Sequence, residues 1–242
     1  FDRLTQSPQV YDRYEASIQG MLMTTMITGA TRGIGLALVK QGHQDGKTLV
    51  ATYRGDQKPQ DDHADWYALD VTDAKAQRSL AAQLSNHPLE LLVCNAGVYL
   101  DKGHRIETGY GPDLWAQTFA VNVTGAFLTI QAFLPHLRAG RGKIAILSSQ
   151  MASDNTAPGG SYIYRASKAA ALNLGRNLAT DLRAEGIPVG IYHPGWVKTD
   201  MGGQGADITS EEAAKGLWER FNTLSLKTTG CFECWDGRAH PF

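Results

Sequence analysis

The chain has 242 residues, 43% of them hydrophobic and 19% charged, a composition that supports a packed core and excludes a charge-rich disordered chain. Its net charge of -1 excludes a generic polyanion binder, since nucleic-acid affinity rests on basic groups that neutralise phosphates. No apolar run of the ~20 residues needed to cross a bilayer is evident, and no signal-peptide-like leader, so a cytoplasmic protein with neither membrane nor nucleic-acid partners is expected.

Residues 1–20 are polar, without clear periodicity, and Met21 and Met23 directly precede the first organised segment. This leader is expected to lie outside the fold, with residues 21–242 forming one domain. From Met23 a β-rich run ends at Thr28 and opens into a glycine turn followed by a helical pattern. Gly29, Gly33 and Gly35 let the backbone bend sharply and approach a pyrophosphate, which the following helix N-terminus attracts through its free N–H groups. The spacing G-x-x-x-G-x-G departs from the common dinucleotide fingerprint G-x-G-x-x-G.

Lys47 to Thr52 is a second strand, and the residues after it, Tyr53 and Arg54, are placed to meet an adenosine ribose. An acidic residue there accepts from the 2′-hydroxyl, whereas arginine pairs with a 2′-phosphate, so Arg54 favours NADP, with Arg32 a second cation for the same phosphate. A third strand, Trp66 to Leu69, leads to Asp70-Val71, expected beside adenine, and Asp73 is a cap for the helix running to Leu84. Leu89 to Val93 is a nearly continuous apolar run suited to a central strand, ending in Cys94-Asn95-Ala96-Gly97, whose small residues leave room for a cofactor.

Leu100 to Pro112 reads as a mobile loop, and Asp113 to Leu137 as one long helix with Asn122 near its middle. An interior asparagine either faces solvent or has a partner. Lys143 to Leu147 is a further strand that delivers Ser148-Ser149 at its carboxyl end, where ligand chemistry gathers in open parallel sheets. After Gly159-Gly160 a helical pattern carries Tyr164 and Lys168, four apart and so on one face, where the ammonium favours the phenolate.

Pro188 to Tyr192 makes another strand, followed by a loop, His193 to Thr199, able to close on a ligand. Gly202 to Thr209 suits a substrate lid, Ser210 to Phe221 is a helix opened by the capping pattern S-E-E, and Gly230 to Trp235 is a last strand. That strand contains Cys231 and Cys234, a lone C-x-x-C without nearby histidines at ligand spacing, so no metal site is expected.

Strands alternate with helices throughout, which argues for an α/β fold, a Rossmann-type doubly wound parallel sheet in a single domain with helices on both faces. The ordered set Thr28-Gly29-Ala30-Thr31-Arg32-Gly33-Ile34-Gly35, Asn95-Ala96-Gly97, Asn122, Ser149, Tyr164-x-x-x-Lys168 and Pro194-Gly195-x-Val197-x-Thr199 resembles the short-chain dehydrogenase/reductase family. The stretch from Asp154 to Leu172 further resembles its C-factor and sniffer-type carbonyl reductases. The resemblance implies an NADP(H)-dependent reductase of a small aldehyde or ketone, working as a homodimer or homotetramer. It implies Tyr164 as general acid, Lys168 lowering its pKa and holding the nicotinamide ribose, Ser149 bonding the carbonyl oxygen, and Asn122 binding a water that links Lys168 to solvent. Gly29, Thr31, Arg32, Gly33, Ile34, Gly35, Asn95, Ala96, Gly97, Pro194, Gly195, Val197 and Thr199 would hold the cofactor. Departures are Cys94, where the family often has asparagine, and a longer Ser149–Tyr164 spacing that leaves Ser148 and Ser153 open. Tyr162 lacks a lysine partner four residues on. NAD-linked oxidation of a secondary alcohol and nucleotide sensing are the competing functions.

Overall fold

The computed structural model describes residues 23–242, so the leader assigned to residues 1–20 lies outside the described residues. Seven parallel strands form one sheet in the order β3-β2-β1-β4-β5-β6-β7. They are β1 (Thr24–Ile27), β2 (Thr48–Tyr53), β3 (Asp65–Ala68), β4 (Leu89–Cys94), β5 (Lys143–Leu147), β6 (Val189–His193) and β7 (Phe232–Cys234). Between them run α1 (Gly33–Gln44), α2 (Ala74–Gln83), α3 (Pro112–Phe119), α4 (Ala126–Gly140), α5 (Tyr162–Asp181) and α6 (Ser210–Thr223).

The apolar runs become strands because both sheet faces are covered, and successive residues alternate between two cores. Met26, Val50 and Leu92 face a core completed by Leu80 of α2, Phe133 and Leu137 of α4 and Ala171 of α5. Their neighbours Ile27, Ala51 and Leu91 face the other, completed by Leu38 of α1 and Leu217, Trp218 and Phe221 of α6. Full burial of a side chain such as Phe133 or Leu137 contributes about 1.5–3 kcal/mol. The chain winds outward from β1 to β3 and then crosses back to β4, so strand order reverses between β1 and β4. A crevice opens at the carboxyl ends of these two strands.

The helix expected over residues 113–137 is not one α-helix. α3 passes into a π-helical turn, Ala120–Gly125, before α4. The wider turn sits where Asn122 reaches sideways to Val98 and Ser167, a place where such turns recur in functional regions. The whole helix, Pro112–Gly140, spans 29 residues with a mean hydropathy of 1.3 in its most apolar window, enough by length and composition to cross a membrane, contrary to the expectation of no such run. Ala126, Ile130, Phe133 and Leu137 spend that apolarity on the core. At α6 the cap falls one residue earlier than the S-E-E pattern implies: Thr209 accepts from Glu212 N–H and donates its own N–H to the Glu212 carboxylate. The segment expected as a flexible lid is held at its far end, where Lys198 N–H donates to Ile208 O at 2.9 Å.

Candidate active site

The glycine turn is built by close approach. Gly29 has φ +64°, and a Cβ there would stand 2.8 Å from Ala96 Cα; one at Gly35 would stand 2.5 Å from Asn95 Nδ2. Asn95 Nδ2 in turn donates to Thr28 O and Gly29 O at 2.8 and 2.9 Å, tying β4 to the turn. Thr28 Oγ1 accepts from the N–H groups of Asn95 and Ala96, and Thr52 Oγ1 from Gly29 N–H. Arg32, at the N-cap of α1, makes no side-chain cap. The first turn of α1, Gly33 to Gly35, therefore lines the cleft without a side-chain acceptor at its N-terminus, and an anion fits that end.

The cleft encloses about 600 Å³ and runs from Arg54 and Asp70 at one end, past the turn, to Tyr164 and Lys168 at the other. Arg54 is exposed beyond β2. Arg32 does not stand free beside it: Arg32 Nη1 pairs with Asp200 Oδ2 at 2.5 Å, both side chains more than three-quarters exposed. An ion pair this exposed is worth about 0–1 kcal/mol, so a phosphate group is able to displace it. Asp70 Oδ1 accepts from the Thr72 N–H and hydroxyl.

At the other end two ionisable side chains are buried. Tyr164 is 7% exposed and Lys168 6%, and Lys168 Nζ lies 5.7 Å from the centre of the Tyr164 ring. Burial pushes the Tyr164 phenol up to about 12, while its hydrogen bond with Ser149 pulls downward and Tyr99 and Asp101 push further upward. The expected lowering of this pKa by Lys168 thus gives way to desolvation, and the phenol stays protonated at neutral pH. The same burial lowers Lys168 to about 8. Lys168 Nζ donates to Leu147 O at 2.9 Å, which leaves further N–H donors for a ligand.

The serines separate by their bonds. Ser148 Oγ donates to Lys168 O, and Ser153 Oγ donates to Phe242 O. Ser149 Oγ accepts from Met151 N–H, which leaves its own proton to give, and it is the serine bonded to Tyr164. Tyr162 is 40% exposed and meets Tyr110 instead.

Asn122 is buried and bonded at both ends of its amide. Its Oδ1 accepts from Val98 N–H at 2.8 Å, and Nδ2 donates to Val98 O and Ser167 Oγ, both at 2.9 Å. The side chain fastens the segment after β4 to the helix that carries it and reaches Ser167 of α5. A Cβ at Gly97 would lie 3.4 Å from both Asn122 Oδ1 and Lys168 Nζ, so this glycine keeps the space before the lysine open.

Of the expected cofactor residues, Gly29, Thr31, Arg32, Gly33, Ile34, Gly35, Arg54, Asp70, Val71, Asn95, Ala96, Gly97, Tyr164, Lys168, Pro194 and Thr199 share the cleft wall. Gly195 and Val197 stand behind it. Gly195 has φ +91° and packs on Ile208 and Trp235, and Val197 is buried. Sequence reading missed Asp200 and Met201 on the wall, and gave no bonding role to Thr28, Thr52 and Asp101 behind it. The bonds of these last three run to residues distant in sequence, and no local pattern carries them.

The family described as short chain dehydrogenase matches residues 23–208. The chain is 34% identical over 233 residues, 89% of its length and 98% of the relative's, to 1-hydroxy-2-glutathionyl-2-methyl-3-butene dehydrogenase of Rhodococcus sp. strain AD45. It is 35% identical over 168 residues, 68% of its length and 99% of the relative's, to C-signal of Myxococcus xanthus. Among solved structures, NADPH-bound carbonyl reductase from chicken fatty liver is similar with TM-score 0.82 and 29% identity, covering 92% of this chain and all of that one. Carbonyl reductase Sniffer of D. melanogaster gives TM-score 0.83 and 26% identity, with the same coverage. The sheet order, the glycine turn and these matches agree, and the chain belongs to the short-chain dehydrogenase family of oxidoreductases, on its carbonyl-reductase side.

Proposed function

We propose that the protein is an NADP(H)-dependent reductase of a small aldehyde or ketone with Tyr164 as its general acid. The observation that carries this reading is a buried phenol, held protonated and hydrogen-bonded to Ser149, in the same cleft as the glycine turn and Arg54. The chemistry supplied by the bound cofactor is hydride delivery to the carbonyl carbon. Gly33 to Gly35 would receive the pyrophosphate, Arg54 the 2′-phosphate, and Lys168 the nicotinamide ribose, with Thr199 beside the carboxamide. NADPH in the chicken carbonyl reductase supports the same cofactor here.

Ser149 donates to the substrate oxygen and stabilises its growing negative charge. Tyr164 then gives that oxygen its phenolic proton, so the carbonyl becomes an alcohol. The protonated phenol is the form that reduction requires. Lys168, still largely protonated at neutral pH, compensates the charge left on Tyr164.

Assembly as a homodimer or homotetramer in the cytoplasm belongs to the same reading. Trp115 and Phe127, both exposed, and the half-buried Phe119 and Val123 form an outward apolar line along α3 and α4 for a second copy. The test of function is initial rates with NADPH and NADH over a panel of aldehydes, ketones and quinones. NADPH-dependent reduction is expected; clear preference for NADH overturns the role of Arg54.

A further inference from the structure

The segment after β4 holds the acid helix from outside it. α5 begins without its own cap: Ser161 sits at φ +50° and makes no side-chain cap bond, and Gly159 and Gly160 before it also have positive φ. The missing cap comes from 60 residues upstream in sequence. Asp101, 0% exposed, accepts from Ile163 N–H at 2.9 Å through Oδ2. Its two oxygens also approach Tyr164 N–H at 3.3 and 3.4 Å. A carboxylate there satisfies orphan N–H groups and is favoured by the positive end of the helix dipole.

Two residues earlier, Tyr99 lies stacked on the Tyr164 ring, centroids 4.2 Å apart and planes 20° apart. Its hydroxyl bonds the Ser161 hydroxyl. The segment itself is anchored at Val98 by both ends of the Asn122 amide and at Lys102, whose ammonium donates to Met201 O at 3.0 Å. Tyr164 is thus gripped at its backbone by Asp101 and at its ring by Tyr99.

We propose that Asp101 and Tyr99 are positioning residues for Tyr164, Asp101 fixing where its helix turn begins and Tyr99 the plane of its ring. The proposal rests on the reading of Tyr164 as the acid. Asp101 also adds negative charge near the phenol. The charged and titratable groups facing that phenol are Lys168 from α5, Tyr99 and Asp101 from the segment after β4, and Ser149, as a hydrogen-bond partner, from the segment after β5.

The experiment compares Asp101→Ala, Asp101→Asn and Tyr99→Leu with wild type in steady-state carbonyl reduction by NADPH, across pH, with NADPH affinity measured separately by fluorescence. Asp101→Ala is expected to lower kcat about 10- to 100-fold, the range of a small misplacement of a reacting group, with NADPH affinity within about twofold. Asn is as good a cap as Asp, so Asp101→Asn should restore most of kcat. Removing the negative charge eases deprotonation of Tyr164, so a second alkaline loss, above the limb near pH 8 that Lys168 sets, should begin at lower pH in Asp101→Asn than in wild type. Tyr99→Leu should lower kcat, again at unchanged NADPH affinity.

Wild-type kcat and pH profile in all soluble variants overturns the proposal, as does a fall in NADPH affinity parallel to kcat. If Asp101→Ala is insoluble, Asp101→Asn and Tyr99→Leu decide by the same criteria. Tyr164→Phe, measured alongside, separates the two levels. Full activity in it removes the reading beneath the proposal, whereas inactivity in it with unaffected Asp101 and Tyr99 variants removes the proposal alone.

Discussion

The two ends of the cleft work by opposite physics. At the adenosine end Arg54 is exposed, and the Arg32–Asp200 pair stands in solvent, where single contacts are weak and screened by salt. At the acid end Tyr164 and Lys168 are almost fully buried, and burial is the largest cause that moves Tyr164 up to about 12 and the cause that moves Lys168 down to about 8. On the proposed function, recognition by charge can therefore be exchanged with modest loss, while removal of one buried group disables the chemistry. A short-chain dehydrogenase that keeps these tasks apart is able to vary cofactor preference without disturbing proton transfer.

The contrast breaks most sharply at Tyr164. Tyr164→Phe should reduce kcat by about 10²- to 10⁴-fold, the usual contribution of a general acid, with NADPH binding retained. Ser149→Ala is expected to follow at about 10²- to 10³-fold, the cost of one donor to a developing oxyanion, read as a loss in kcat rather than a rise in KM. Ser148→Ala serves as its control, because the Ser148 hydroxyl is spent on Lys168 O; it should leave kcat within about threefold.

At the exposed end, Arg54→Ala should raise the KM for NADPH by about tenfold, as expected for one charge-assisted bond, and leave the NADH rate unchanged. Raised salt should narrow the NADPH advantage of wild type and do little in the variant.

The smallest effect is a pH dependence. Burial lowers the Lys168 pKa to about 8, so its ammonium is present below that pH and is lost as pH rises through it. NADPH-dependent reduction should fall on the alkaline side from about pH 8, although Tyr164 remains protonated there. Lys168→Arg, whose guanidinium does not titrate in this range, should flatten that limb; a limb unmoved by the change assigns it elsewhere.

The comparison also explains what was legible in the sequence. The glycine turn, the strand ends at Asn95 and Ser149, and the Tyr164–Lys168 pair rest on local spacing, and the fold brings most of them to one cleft. The direction of the Tyr164 pKa was not legible, because spacing reveals a neighbouring ammonium but not the burial that sets the direction. Asn122 showed the same limit: an asparagine inside a helix leaves solvent and a partner both open, and only the π-helical turn and the Val98 backbone decide between them. Asp101 gave no signal at all. An acidic residue in a glycine-containing loop reads as solvated surface, and its partners lie beyond α3, α4 and β5.

The measurement that tests the account most directly is single-turnover reduction of a reactive carbonyl by NADPH in wild type and Tyr164→Phe, with NADPH binding measured on both. The account predicts equal NADPH affinity and a rate lower by about 10² or more in the variant. Equal rates in the two proteins would contradict it, because phenylalanine has no proton to give.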